Sequence, residues 1–322
     1  MAILLQTKDL RVTFQGKEGP ALAVRGIDLE LHEGESLGIV GESGSGKSVT
    51  SLAMMGLLPS PPALIQAENL QFLNMDLLTA NRKTMQGLRG KGMAMIFQEP
   101  MTSLDPAFTV GNQLAEPIMI HLGLSRKEAN ELSLDLLSKV EIPNGKSLLN
   151  YYPHQLSGGM RQRIMIAMAI SCGPQLLIAD EPTTALDVTI QAQVLDLIVA
   201  LQKEKNMALI MITHDMGVIA QTSDKVAVMY GGLIMEYAEV VELFKNPLHP
   251  YTEALLASIP RPDLDSDKRL FSIPGGAPNP KDPPTGCPFH PRCPKADAYC
   301  HVELPKMKEI TVGHGVRCWR AL

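Results

Sequence analysis

Eight residues restrict the architecture of this chain more than any others: Gly41-Glu42-Ser43-Gly44-Ser45-Gly46-Lys47-Ser48. They follow the apolar run Leu37 to Val40 and precede a helix-like run from Ser48 to Leu57. A glycine-rich turn between strand and helix aims several backbone N–H groups into one concavity, at the positive end of the helix, and such a concavity takes phosphate. The G-x-x-x-x-G-K-[ST] spacing adds an ammonium from Lys47 for the β and γ phosphates and a hydroxyl from Ser48 for Mg²⁺. Gly41, Ser43, Gly44, Ser45, Gly46, Lys47, Ser48 and Val49 are therefore the candidate nucleotide cradle.

A second apolar run, Gln175 to Ala179, ends in Asp180-Glu181-Pro182. Carboxylates at the carboxyl end of a buried strand stand where α/β sheets present their ligands. Asp180 is placed to hold Mg²⁺, and Glu181 to polarise an attacking water, because phosphoryl transfer mostly requires positioning and charge stabilisation. Further strand-like runs, Ser36 to Val40, Ala208 to Thr213 and Val226 to Tyr230, alternate with helical patterns, which predicts a mainly parallel α/β sheet. Between about 101 and 157 no strand-like run occurs. Ser125-Arg126-Lys127-Glu128 forms a capping-box pattern there, followed by Ala129, Leu132, Leu136 and Val140 at helical spacing, so this stretch reads as an inserted helical subdomain.

The chain has 322 residues and 34 acidic against 29 basic side chains, a net charge of −5 that argues against nucleic acid as a partner. At 45% hydrophobic and 20% charged it has enough apolar material for a large core. The apolar run Met1 to Leu5 is interrupted by Gln6, Lys8 and Asp9, so no signal-peptide segment is expected, and no run of spanning length occurs. The reading is a cytosolic protein. Eleven of the 24 prolines lie from Pro260 onward, which places a boundary there, with a nucleotide-binding α/β domain over 1–259 and a Cys/Pro-rich extension over 260–322.

Leu156-Ser157-Gly158-Gly159-Met160-Arg161-Gln162-Arg163 stands between the two motifs and resembles the LSGGQ signature of ATP-binding-cassette (ABC) ATPases, with Met160 in place of glutamine. The resemblance runs from about Leu4 to Gly232. It implies that Ser157, Gly158 and Gly159 contact ATP bound by a partner cassette, and that Gln98 is the Q-loop glutamine, which also reaches Mg²⁺. It further implies that Ala185-Leu186-Asp187 is the D-loop, that His214 is the switch histidine, and that Phe14 stacks on adenine. Gln98 to Pro106, Tyr152-Pro153-His154-Gln155 and His249-Pro250-Tyr251-Thr252 resemble the peptide and nickel uptake branch, in particular the D-type ATPases of dipeptide and oligopeptide permeases.

That family relationship implies the ATP-hydrolysing motor of an importer at the cytoplasmic face of the inner membrane. Its partners would be two permease subunits, a periplasmic or surface substrate-binding protein, and a paralogous second ATPase in a heterodimer. The alternative is a non-transport ABC ATPase acting in DNA repair or translation. Repair members carry long coiled-coil insertions and translation members carry two cassettes, whereas this chain has one cassette. A scaffold without hydrolysis is disfavoured by the intact Glu181 and His214.

Four of the five cysteines, Cys287, Cys293, Cys300 and Cys318, fall in the extension with five, six and seventeen residues between them. This is not the short knuckle spacing of structural zinc. Four thiolates suit a 4Fe-4S cluster, which the resemblance also implies, with Zn²⁺ or free thiols as the alternatives. Cys172, in an apolar context after the signature, reads as a packed thiol, and Met160, Met165 and Met168 as adaptable core packing.

Overall fold

A computed structural model describes residues 2–98, 103–184, 186–259 and 272–321. The strands are β1 (Ile3–Gly16), β2 (Gly19–His32), β3 (Ser36–Val40), β4 (Ala63–Gln66), β5 (Asn69–Phe72), β6 (Met75–Asp76), β7 (Met93–Ile96), β8 (Leu176–Asp180), β9 (Ala208–Thr213), β10 (Lys225–Tyr230), β11 (Leu233–Glu239), β12 (Lys308–Thr311) and β13 (His314–Val316). The helices are α1 (Lys47–Met54), α2 (Arg82–Leu88), α3 (Val110–Leu122), α4 (Arg126–Lys139), α5 (Gly145–Leu148), α6 (Gly158–Ile170), α7 (Val188–Lys205), α8 (Met216–Thr222), α9 (Val240–Lys245), α10 (Pro250–Ala257) and α11 (Ala298–Val302). The chain divides into two compact units, one built mainly from 80–210 and the other from 3–31, 36–79 and 211–322. β9 passes from the first into the second.

In the first unit β7 lies parallel to β8, with Met93 opposite Leu176 and Ile96 opposite Ala179. β8 is buried along its whole length, as a strand covered on both faces must be. The described residues between 103 and 157 are helical or irregular, and they share this unit with β7 and β8. The capping box at the start of α4 forms as its sequence predicts: the Ser125 side chain accepts the Glu128 N–H while Glu128 accepts the Ser125 N–H. Cys172 lies just beyond α6, where its thiol donates to the Pro117 carbonyl and burial raises its pKa.

In the second unit β1 pairs antiparallel with β4 and β5, and a separate path runs β12–β13–β11–β10–β3. β10 is parallel to β3, with Val228 opposite Val40. Ile27, Leu29 and Leu31 of β2 are buried while Asp28 and Glu30 are exposed, the two-residue period of a half-covered strand. Helix α1 stops at Met54, short of the Leu57 read from sequence, because Gly56 takes a φ of 60°. Residues 272–321 fall in this unit and contribute β12, β13 and α11. The expected boundary at Pro260 lies outside the described residues.

A buried carboxylate ties these last elements in. Glu236 of β11 accepts the Leu248 and His249 N–H groups at 2.7 and 2.9 Å and lies 2.8 Å from Nε2 of His314 on β13. His249 in turn caps α10 by accepting the Tyr251 N–H at Nδ1. Burial lowers its pKa to about 3, so the ring is the neutral acceptor this cap needs.

Candidate functional site

Each unit carries one part of the expected site. In the second, β3 delivers the chain into the glycine-rich loop, and α1 leaves it with Gly46 as its N-cap at φ 104°. Glycine is obligatory here on two counts: a Cβ on Gly46 would stand 2.6 Å from the Ala23 carbonyl oxygen, and one on Gly41 would stand 2.1 Å from that of Met229. Lys47 is 5% exposed, and its Nζ donates to the Gly41 and Glu42 carbonyls at 2.7 and 3.0 Å. The ammonium is thus bent over the loop that it would serve, which arranges the loop before any phosphate arrives. Ser43 and Gly44 at the tip are exposed; Ser45 is buried, and Ser48 and Val49 are half-buried.

Phe14, half-buried at the end of β1, lies opposite Ala63 of β4 and keeps part of its ring surface available for stacking. His214 follows β9 directly and is exposed. The next residue, Asp215, caps α8 by accepting the Gly217 N–H at 2.7 Å, which fixes the turn that carries the histidine.

In the first unit β8 ends in Asp180, 4% exposed, and Glu181 follows in the left-handed region with φ 46°. A non-glycine residue there costs about 1–3 kcal/mol and persists only where its surroundings impose it, a condition that clusters at functional sites. Gln98 Nε2 donates to Glu181 Oε2 at 2.9 Å, and the Thr184 hydroxyl donates to the same oxygen at 3.0 Å. Gln98 and Glu181 were legible separately, and the structure joins them. Thr184 was not read from sequence. Its offset of three from the acid is the one signal that could have marked it.

Helix α6 opens at Ser157, whose side chain accepts the Met160 N–H, with Gly158 and Gly159 in its first turn. Ser157 and Gly158 are exposed, so this is an open, positively polarised terminus. Two arginines of the same motif brace it: Arg161 Nε donates to the Pro153 carbonyl, and Arg163 to the Val140 carbonyl, Glu141 and Gln193. Asp187 caps α7 by accepting the Ile190 N–H, and the adjacent Val188 is 84% exposed. Ala185 of the expected D-loop lies outside the described residues, as do Glu99 to Thr102 after Gln98.

The cysteine tail departs from expectation. Cys287, Cys293, Cys300 and Cys318 lie close enough to feel one another's charge. Yet among the described residues no three His, Cys, Asp or Glu side chains are placed to hold a metal ion, so the four-sulfur ligand set is not assembled. Burial raises the pKa of all four thiols, Cys287 to about 11. Mg²⁺ poses a different requirement. It is usually held by one or two side chains plus substrate phosphates; of its expected ligands, Ser48 lies in the second unit and Asp180 and Gln98 in the first.

Residues 24–184 match the ABC transporter family model, and residues 235–300 match the oligopeptide/dipeptide transporter C-terminal region. The chain belongs to the ABC transporter ATPase family. The dipeptide transport ATP-binding protein DppD of Haemophilus influenzae is 52% identical over 95% of this chain and 92% of its own. A probable peptide ABC transporter ATP-binding protein of Sinorhizobium fredii is 49% identical over 99% and 95%. Among solved structures, the ATP-binding cassette MJ0796, a dimer bound to ADP and Pi, shares the fold at a TM-score of 0.66 and 24% identity, covering 74% of this chain and 99% of that one. As an ABC ATPase the chain binds and hydrolyses ATP, and no described helix is long and apolar enough to cross a membrane.

Glu181→Gln keeps the size and hydrogen-bonding capacity of the side chain and removes its charge. The variant is expected to bind ATP as the parent does and to lose at least about 100-fold in turnover, the scale of a lost general base. Calorimetry and phosphate release measured on the same preparation check both halves.

Proposed function

We propose that this chain is the ATP-hydrolysing subunit of an importer of di- and oligopeptides or a related small solute, working at the cytoplasmic face of the inner membrane. The observation that carries the reading is the C-terminal match over 235–300, which separates peptide-transport ATPases from cassettes in general. Full-length similarity to dipeptide and oligopeptide transport ATP-binding proteins supports it.

In this reading the phosphate loop, Gly41 to Val49, wraps the ATP phosphates, Lys47 neutralises the β and γ charges, and Phe14 stacks on the base. Mg²⁺, held by Ser48, Asp180 and Gln98, would screen the phosphates. Glu181 accepts a proton from the attacking water, with Gln98 and Thr184 fixing its orientation and His214 helping to hold the water and γ-phosphate. Ser157, Gly158 and Gly159 close the site on ATP carried by a second cassette, and Asp187 with the exposed Val188 faces that partner. A paralogous ATPase as that partner, in a heterodimer, belongs to the same proposal.

Transport requires separate membrane subunits, and a groove on α3 supports a docking face for them. Phe108, Asn112, Glu116, Met119, Ile120 and Arg126 line about 450 Å³, and Phe108 and Ile120 are 53% and 68% exposed. Two permeases and a substrate-binding protein complete the proposed machine.

The tail cysteines keep the 4Fe-4S proposal open, with Zn²⁺ as its rival, because their mutual proximity is what a cluster would need before it draws the sulfurs together. Metal binding to deprotonated thiols would then contribute directly to folding of the tail.

Two outcomes are expected. Chain purified alone hydrolyses ATP slowly, and co-expression with its permeases and second ATPase raises the rate at least about tenfold, an activation amounting to about 1.4 kcal/mol in barrier; equal rates in both preparations contradict the two-cassette reading. Anaerobically purified chain is expected to be brown with about four irons and four sulfides per chain; a colourless protein with one zinc favours the rival, and a metal-free one removes both.

A further inference from the structure

One contact links the tail to the phosphate loop within the second unit. Arg292, in the 3₁₀ turn His290–Arg292, sends Nη1 to Glu42 Oε2 at 2.6 Å and Nη2 to Glu42 Oε1 at 2.9 Å, a two-pronged ion pair. Glu42 is the second residue of the loop. Its carbonyl accepts from Lys47 Nζ, and its own N–H donates to the Tyr251 hydroxyl at 2.9 Å. Arg292 is itself fixed on every side. It donates to the Pro274 and Ile273 carbonyls and to the Tyr230 hydroxyl, and its guanidinium lies 5.7 Å from the Tyr230 ring centre. Tyr230, Tyr251 and Phe289 pack with ring centres 4.6 to 5.2 Å apart beneath the pair.

The side chain of Arg292 is 6% exposed and that of Glu42 27%, so the pair is poorly screened by solvent. A carboxylate inside a loop built to attract phosphate opposes that purpose unless something cancels its charge. We infer that Arg292 is a positioning residue for ATP: it neutralises Glu42 and holds the second residue of the phosphate loop in place, so that the C-terminal extension sets the affinity of the cassette for nucleotide. This rests on the reading of Gly41 to Val49 as the ATP cradle. It adds that the extension is part of the nucleotide site and not an appendage to it.

The inference makes a sign-specific demand. Removing the arginine alone leaves an uncompensated carboxylate beside the incoming phosphates, and removing the carboxylate as well should relieve the damage. A purely structural brace predicts no such relief, since the second substitution restores no contact.

The experiment is calorimetric titration of the full chain with MgATP. Arg292→Ala and Arg292→Gln are each expected to weaken binding about tenfold, equivalent to about 1.4 kcal/mol. Arg292→Lys, which keeps the charge without the fork, should stay within about threefold of the parent. The double variants carrying Glu42→Gln should return to within about twofold of the parent, on the same conversion. Arg292→Gln supplies the answer if the alanine variant folds poorly, and thermal melts on all variants verify folding. Parental affinity in a folded Arg292→Gln variant, or a double variant as weak as the single, overturns the inference. Failure of the parent itself to bind MgATP would instead sink the reading of the loop.

Discussion

A flexible glycine loop becomes an anion site only if something holds its carbonyls away from the cavity and its N–H groups toward it. Here the buried Lys47 ammonium does this, donating to the carbonyls of Gly41 and Glu42. Much else follows from that arrangement. Gly41 and Gly46 are required because backbone presses against the loop from Met229 and Ala23, and α1 must begin at once so that its first N–H groups face the ligand. β3 is buried over all five residues because the loop needs a rigid strand behind it.

The second demand is a carboxylate aimed at water and not merely near it. Glu181, proposed for that role, takes a left-handed backbone at a conformational cost, and Gln98 and Thr184 hold one of its carboxylate oxygens. Strain of this kind is tolerated because β8, wholly buried and paired with β7, over-determines the position of the residue before it.

What could be read from the chain was what is local. The phosphate loop, the Asp180-Glu181 strand end, the capping box at Ser125 and the full extent of β9 depend on a few neighbouring residues whose backbone needs are specific, and the structure places each of them as expected. Long-range pairs carry no such signature. Arg292 and Glu42 are 250 residues apart, and neither is unusual in its own surroundings. The role of Glu236, which joins β11, β13 and the His249-Pro250-Tyr251-Thr252 segment, was hidden for the same reason. The cysteines are a different case: their number and the family resemblance implied a ligand set, and among the described residues no three metal-binding side chains stand together to hold an ion.

The central claim is that the Lys47 ammonium and its loop constitute the ATP site, and it is tested most directly by titrating ATP into the parent and into Lys47→Ala while monitoring thermal stability. Loss of the buried ammonium should abolish measurable ATP binding at concentrations that saturate the parent, and ATP should raise the melting temperature of the parent alone. Equal binding by a folded Lys47→Ala variant would contradict the account.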